Sequence, residues 1–141
     1  MNIVIDNFIT YISVLQGAAL KIDFLFRGGI ALGQLYMDSS TNFVWGKALV
    51  EAHLLEEKKA VYPRVILSDQ FNQLNLPKTT RILVDSDGMY FVDYISKVKE
   101  KFPEWIEKSK KMIQEKYDEY KGNERVLQKY RWLQNYIEQG E

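Results

Sequence analysis

The stretch FLFRGGIALGQLY (residues 24–36) sets two adjacent glycines beside an arginine inside an apolar run. A phosphate-cradling loop needs a strand, a glycine-rich turn and then a helix N-terminus aimed at the anion. Here the glycines are followed by IALGQLY, which continues as strand. No lysine with serine or threonine follows, as a P-loop requires, and the three spaced glycines of a dinucleotide loop are missing. Residues 21–36 therefore read as one strand with Gly28 and Gly29 in its middle. Such a strand belongs at the centre of a sheet, and its glycines mark a place where another part of the chain lies close.

The elements on either side follow from spacing. Phe8, Ile9, Ile12, Leu15 and Ala19 recur at helical intervals after Asp6, a cap residue, so residues 6–20 read as a helix with one buried face. MDSSTN is a turn, FVWG a short strand, and KALVEAHLLEEKKA a helix with Ala48, Ala52 and Leu55 on one stripe. A strand begins after Pro63 and a short helical turn lies in QFNQL. TRILVDSDGMYFVDYI has the form of a hairpin about Asp87-Gly88, because Asp-Gly supplies the positive dihedrals of a tight turn. From Pro103 onward the pattern is helical. Phe102, Ile106, Met112, Ile113 and Tyr117 form one stripe and Val126, Tyr130, Leu133 and Ile137 another, with KGNE between them as the break of a helical hairpin.

Composition limits the function classes. A chain of 141 residues, 46% hydrophobic and 27% charged, carries one domain, read as a core over 1–97 and a helical extension over 98–141. Nineteen basic residues balance nineteen acidic ones, so no net field draws in nucleic acid or an anionic membrane. The dense Lys/Glu alternation of the last third reads as a solvated face laced with charge pairs. Zero cysteines exclude a disulfide framework, a thiolate zinc site and a cysteine nucleophile. Apolar runs are broken by charge or glycine before about 18 residues, so no membrane span is expected. The N-terminus lacks the basic segment of a secretory peptide, which gives a cytoplasmic expectation.

Single candidates for chemistry have structural readings that fit better. His53 has no second histidine with which to complete a zinc pattern. Asp85 and Asp87 flank a glycine turn and read as turn formers, since a hard-cation site needs about six oxygens from a defined loop. Asp38, Ser39 and Ser40 belong to a turn, and a serine nucleophile there would lack a positioned base. No metal site is expected.

RGGIALGQLY with FVWGKALVEAHLLEEKKAVYPRVILSD after it resembles the second half of the class III nucleotidyl cyclase catalytic domain, and the divergent bacterial proteins similar to that domain. The likeness covers roughly residues 6–69. Arg27, Gly29, Ile30 and Gly33 match the family's strand, Trp45 and Gly46 its aromatic-glycine pair, and Lys47 onward its long helix. The resemblance implies an α+β fold: a truncated ferredoxin-like, cyclase-like antiparallel sheet with packed helices and a C-terminal helical hairpin. It also implies that the family's two metal-binding aspartates would precede residue 1. The family's catalytic asparagine and arginine fall on Val50 and Leu54, and its base-selecting aspartate on Phe43, or on Asn42 after a slip of one residue. Apolar side chains cannot stabilise charge developing at phosphorus.

The expected function is thus a non-catalytic interaction or regulatory module, with no catalytic residue and no cofactor. It would be a homodimer, or would take a protein partner that completes the sheet edge left by the missing leading elements. An alternative is a nucleotide-binding module, or a subunit of a split cyclase, holding a nucleoside triphosphate with magnesium through Arg27, Gly28, Gly29, Asn42, Trp45 and Lys47. A third is an enzyme of another class that uses Arg27, Asp38, Lys47 or Glu51 in an unfamiliar pocket.

Overall fold

The structure, a computed structural model, describes residues 1–139. It is an α+β fold in which a four-stranded sheet lies between two layers of helix. The chain opens with α1 (Asn2–Lys21), then β1 (Gly28–Ile30). A separate two-stranded arm follows, β2 (Tyr36–Asp38) and β3 (Phe43–Trp45). Next come α2 (Lys47–Leu54), continued by π-helical turns over Leu55–Ala60, and β4 (Val65–Leu67). A 3-10 turn (Asp69–Gln73) precedes β5 (Ile82–Val84) and β6 (Tyr90–Val92). Three helices end the described chain: α3 (Ser96–Lys101), α4 (Pro103–Glu119) and α5 (Glu124–Glu138).

The strand order is β1-β4-β6-β5. Gly28, Gly29 and Ile30 pair in parallel with Val65, Ile66 and Leu67, whereas β4–β6 and β5–β6 are antiparallel. The sheet is therefore mixed rather than antiparallel throughout. The central strands are β4 and β6, and β1 lies at an edge, which corrects the expectation that the glycines mark a central strand. Residues 21–36 do not form one strand either. Only three of them pair into the sheet, and the chain then leaves it to build the β2–β3 arm.

Alternation along β4 and β6 divides the core into two layers. Ile66 and Phe91 face a cluster with Ile106, Met112, Ile113, Leu133 and Ile137 of α4 and α5. Val65, Leu67 and Val92 face the opposite way, onto Ile9 of α1 and Phe71. Strands buried on both faces read as continuous apolar runs, as VIL and FV do here. The Asp87-Gly88 hairpin forms as expected, with Gly88 at φ +82°. Asp6 does not cap a helix. It sits inside α1, where its carboxylate accepts a hydrogen bond from Thr80 Oγ1 at 2.5 Å.

Candidate functional site

Gly29 has its physical explanation in the helix above it. Register with Ile66 turns its missing side chain toward the α2 layer. A Cβ built there would lie 2.5 Å from the carbonyl oxygen of Ala52, 2.8 Å from Leu55 Cβ and 3.1 Å from the amide of Glu56. Those atoms belong to the turn where α2 widens into the π-helical segment, so that face of Gly29 is filled by helix backbone. Gly28 is freer, because its nearest neighbour would be Val65 Cγ2 at 3.4 Å. Gly46, at φ +149°, lets the backbone cross close to Gln34 as the arm gives way to α2.

The six residues of the nucleotide alternative are spread over three elements. Arg27 precedes β1, is partly exposed, and its Nε donates to Glu56 Oε1 at 2.7 Å. It opens onto a cleft of about 460 Å³ shared with Phe26, Tyr62, Lys129 and Tyr130, which Gly28, Gly29, Asn42, Trp45 and Lys47 do not line. Asn42 sits in the arm's turn with φ +55°, a conformation asparagine tolerates. Trp45, also on the arm, stacks on Tyr36 with centroids 5.4 Å apart, and Lys47 is the first residue of α2.

The other candidates have local partners. His53 is exposed and lies 3.5 Å from Glu57. Asp38 accepts from Ser40 through both backbone and hydroxyl, and these hydrogen bonds hold its carboxyl below the usual range. Glu51 accepts from Gln70. Among the described residues no three His, Asp or Glu side chains gather as metal ligands would.

Asp85 and Asp87 belong to a buried ion cluster that the sequence pattern does not reveal. Arg64 is fully buried and all five of its guanidinium N–H groups find acceptors. Nε donates to Ala60 O, Nη1 to Asp85 Oδ2 and Asp87 Oδ1, and Nη2 to Lys59 O and Asp87 Oδ2. Trp132 Nε1 also donates to Asp85, and Tyr62 stacks on Trp132 with centroids 5.9 Å apart. The hydrogen bond from Arg64 holds the Asp87 carboxyl below its ordinary value. With every donor spent, the cluster fastens the β5–β6 turn to the end of the π-helical segment and to α5. Its role is structural.

The least balanced surface is on α1. Ile9, Gln16 and Leu20 are buried against the sheet side, yet Ile3, Val4, Phe8, Tyr11, Val14 and Leu15 are exposed, Tyr11 by 67%. At 100° per residue these six fall on one contiguous face. The expected buried stripe is therefore corrected at Phe8 and Leu15, which point outward. Asp6 and Lys21 are the only charged residues in the helix, which is long and apolar enough to cross a membrane by length and composition alone. A second exposed apolar set covers the arm and α2, including Met37, Phe43, Leu49, Val50 and Leu54. Eighteen of the twenty-two exposed large apolar residues precede residue 55, so the asymmetry is regional.

Comparison with protein-family models, curated proteins and solved structures finds no match.

Proposed function

We propose that this chain is a non-catalytic interaction module that pairs with a second copy through the outer face of α1. The observation that carries the reading is the uncharged apolar face just described, since a patch of this kind marks an interaction surface. An aromatic side chain such as Phe8 or Tyr11 presents roughly 150–250 Å², and the aliphatic residues of the stripe lie toward the lower end of that range. Six such residues, 47–74% exposed, offer on the order of 650 Å², near the ~800 Å² per partner of a standard interface. An uncharged stripe also meets its own copy across a two-fold axis without like charges opposed.

Its opposite face favours a protein partner over a bilayer. Ser13 and Gln16 are buried there, and Ser13 Oγ donates to Asp93 O at 2.6 Å, so that face belongs to the fold. Nor does α1 carry the basic flank that anchors an interfacial helix to anionic lipid.

The finer part of the proposal is that the core is a degenerate, ferredoxin-like version of the nucleotidyl cyclase fold. The order helix, glycine-bearing strand, arm, helix, strand supports it, running from α1 to β4 in the sequence of elements that the resemblance implies. Val50 and Leu54 support loss of catalysis, because neither can donate a hydrogen bond at the positions where the family carries asparagine and arginine.

Light scattering on the full chain at tens of micromolar tests the assembly. A dimer that Phe8→Glu with Leu15→Lys converts to a folded monomer is expected. A monomeric parent at about 100 µM, or a dimer indifferent to both charges, would refute it.

A further inference from the structure

On the margin of α1, where Val14 and Ala18 approach α3 and the start of α4, lies a groove of about 270 Å³. That is close to the ~300 Å³ at which small-molecule sites begin. Its walls are Val14, Ala18, Val98, Phe102 and Trp105, the last two stacked with ring centroids 4.1 Å apart. Gly17 lets α1 and α3 come this close, since a Cβ on it would stand 3.0 Å from Val98 Cγ2.

Three cations, Arg81, Lys97 and Lys101, share the lining, and no acid does. Lys97 is held by Glu100 Oε2 at 2.6 Å. Arg81 donates only to the Ser13 hydroxyl, at 3.2 Å, and Lys101 makes no ion pair among the described residues. The Glu100 carboxyl is drawn below its usual range first by the hydrogen bond from Lys97, then by the charges of Lys101 and Arg81, so the three cations converge on one acid. The other neighbouring carboxylate, Asp93, is occupied by the Tyr136 hydroxyl and the amides of Ile95 and Ser96. Lys21 adds a fourth positive charge, its Nζ 4.9 Å from the centroid of Trp105.

We propose that this groove binds a small amphipathic anion, an apolar chain or ring ending in a carboxylate. The apolar part removes water from Trp105, Phe102 and Val98, while the carboxylate accepts from Arg81 and Lys101, the two lining cations that donate no hydrogen bond to a carboxylate among the described residues. Neither half suffices. Lysines at a solvated rim hold a bare anion weakly, and a neutral chain leaves Arg81 and Lys101 beside an apolar surface with no carboxylate to accept their hydrogen bonds. The site shares Val14 with the α1 stripe, so the titration is repeated on Phe8→Glu with Leu15→Lys to read ligand binding apart from self-association.

Calorimetry with decanoate, decanol and acetate on the full chain tests it, with Trp105 fluorescence as a second readout. Saturable 1:1 binding of decanoate is expected, about tenfold tighter than decanol, with none for acetate. Lys101→Met with Arg81→Met should weaken decanoate about tenfold and leave decanol unchanged, whereas Phe102→Ala should weaken both. Should the Arg81 variant fail to fold, Lys101→Met alone, at an exposed position, asks the same question and should still weaken decanoate but not decanol. Absence of saturable decanoate binding up to about 1 mM would overturn the proposal. So would equal affinity for decanoate and decanol, or indifference of decanoate to removal of the cations.

Discussion

Replacing Gly29 with alanine adds one methyl group where the helix leaves no space for it. The nearest atoms would be the Ala52 carbonyl oxygen at 2.5 Å, Leu55 Cβ at 2.8 Å and the Glu56 amide nitrogen at 3.1 Å. Two of the three are backbone, and none is the tip of a flexible side chain, so relief requires α2 and β1 to move apart. Overpacking of this kind costs typically ~1–3 kcal/mol, and backbone neighbours place the expectation at the upper end. With a change of roughly 3–4 °C per kcal/mol for a domain of this length, melting should fall by about 6–12 °C. Gly28→Ala is the matched control, because its new methyl would make ordinary contact with Val65 at 3.4 Å. Restricting the unfolded chain could even stabilise that variant by ~0.4–1 kcal/mol. Thermal and urea unfolding of both variants gives the comparison. A Gly29→Ala protein as stable as the parent, or a larger loss at Gly28 than at Gly29, would refute the close-approach argument.

Arg64→Met should cost about 3 kcal/mol or more in urea unfolding, because it strands the carboxylate of Asp85, which is largely buried. Tyr136→Phe removes a hydroxyl that donates to Asp93 and accepts from the amides of Tyr94 and Ile95, and should cost roughly 1–3 kcal/mol. The folded-state pKa of Asp87 is lowered by its hydrogen bond from Arg64, so its contribution is present above the ordinary value of 3.8 and lost as pH falls through the lower folded value; Asp87→Asn should flatten the acid limb of a stability–pH profile below about pH 4. The chain should form no cyclic nucleotide from ATP, GTP, CTP or UTP, and turnover with magnesium or manganese that Arg27→Ala abolishes would contradict this.

The elements legible in the sequence are those whose signals are local. Pro63 and the apolar run after it fix β4, Asp87-Gly88 fixes the hairpin, and KGNE separates α4 from α5. The α1 face was not legible, because Phe8 and Leu15 are as apolar as Ile9 and Leu20, and only the sheet decides which pair is covered. Nor was the true length of β1. Residues 31–36 are no less apolar than Gly28–Ile30, and what removes them from the sheet is the arm. The short helix α3 is mostly lysine and glutamate around one buried residue, Val98, too little for a periodic signal. The cluster about Arg64 joins residues 21 and 23 positions apart, with Trp132 far beyond them, so no local motif could announce it.

The two exposed apolar surfaces bear on the proposed loss of catalysis in a way that their positions make specific. Val50 and Leu54 lie on α2 with Leu49, all exposed, within the same region as Met37 and Phe43 of the arm. An inactive remnant under no other constraint would drift toward polar residues at solvent-facing helix positions, since exposed valine and leucine gain nothing there and raise the risk of non-specific association. Apolar residues at the two positions where hydrogen-bond donors would be needed are what a surface recruited for contact requires. On this reading α2 and the arm form a second contact region, distinct from the α1 stripe. Val50→Lys with Leu54→Glu should then leave melting within ~0.5 kcal/mol of the parent, as for exposed substitutions generally, while weakening association in light scattering. Unchanged association with intact folding would confine the interface to α1.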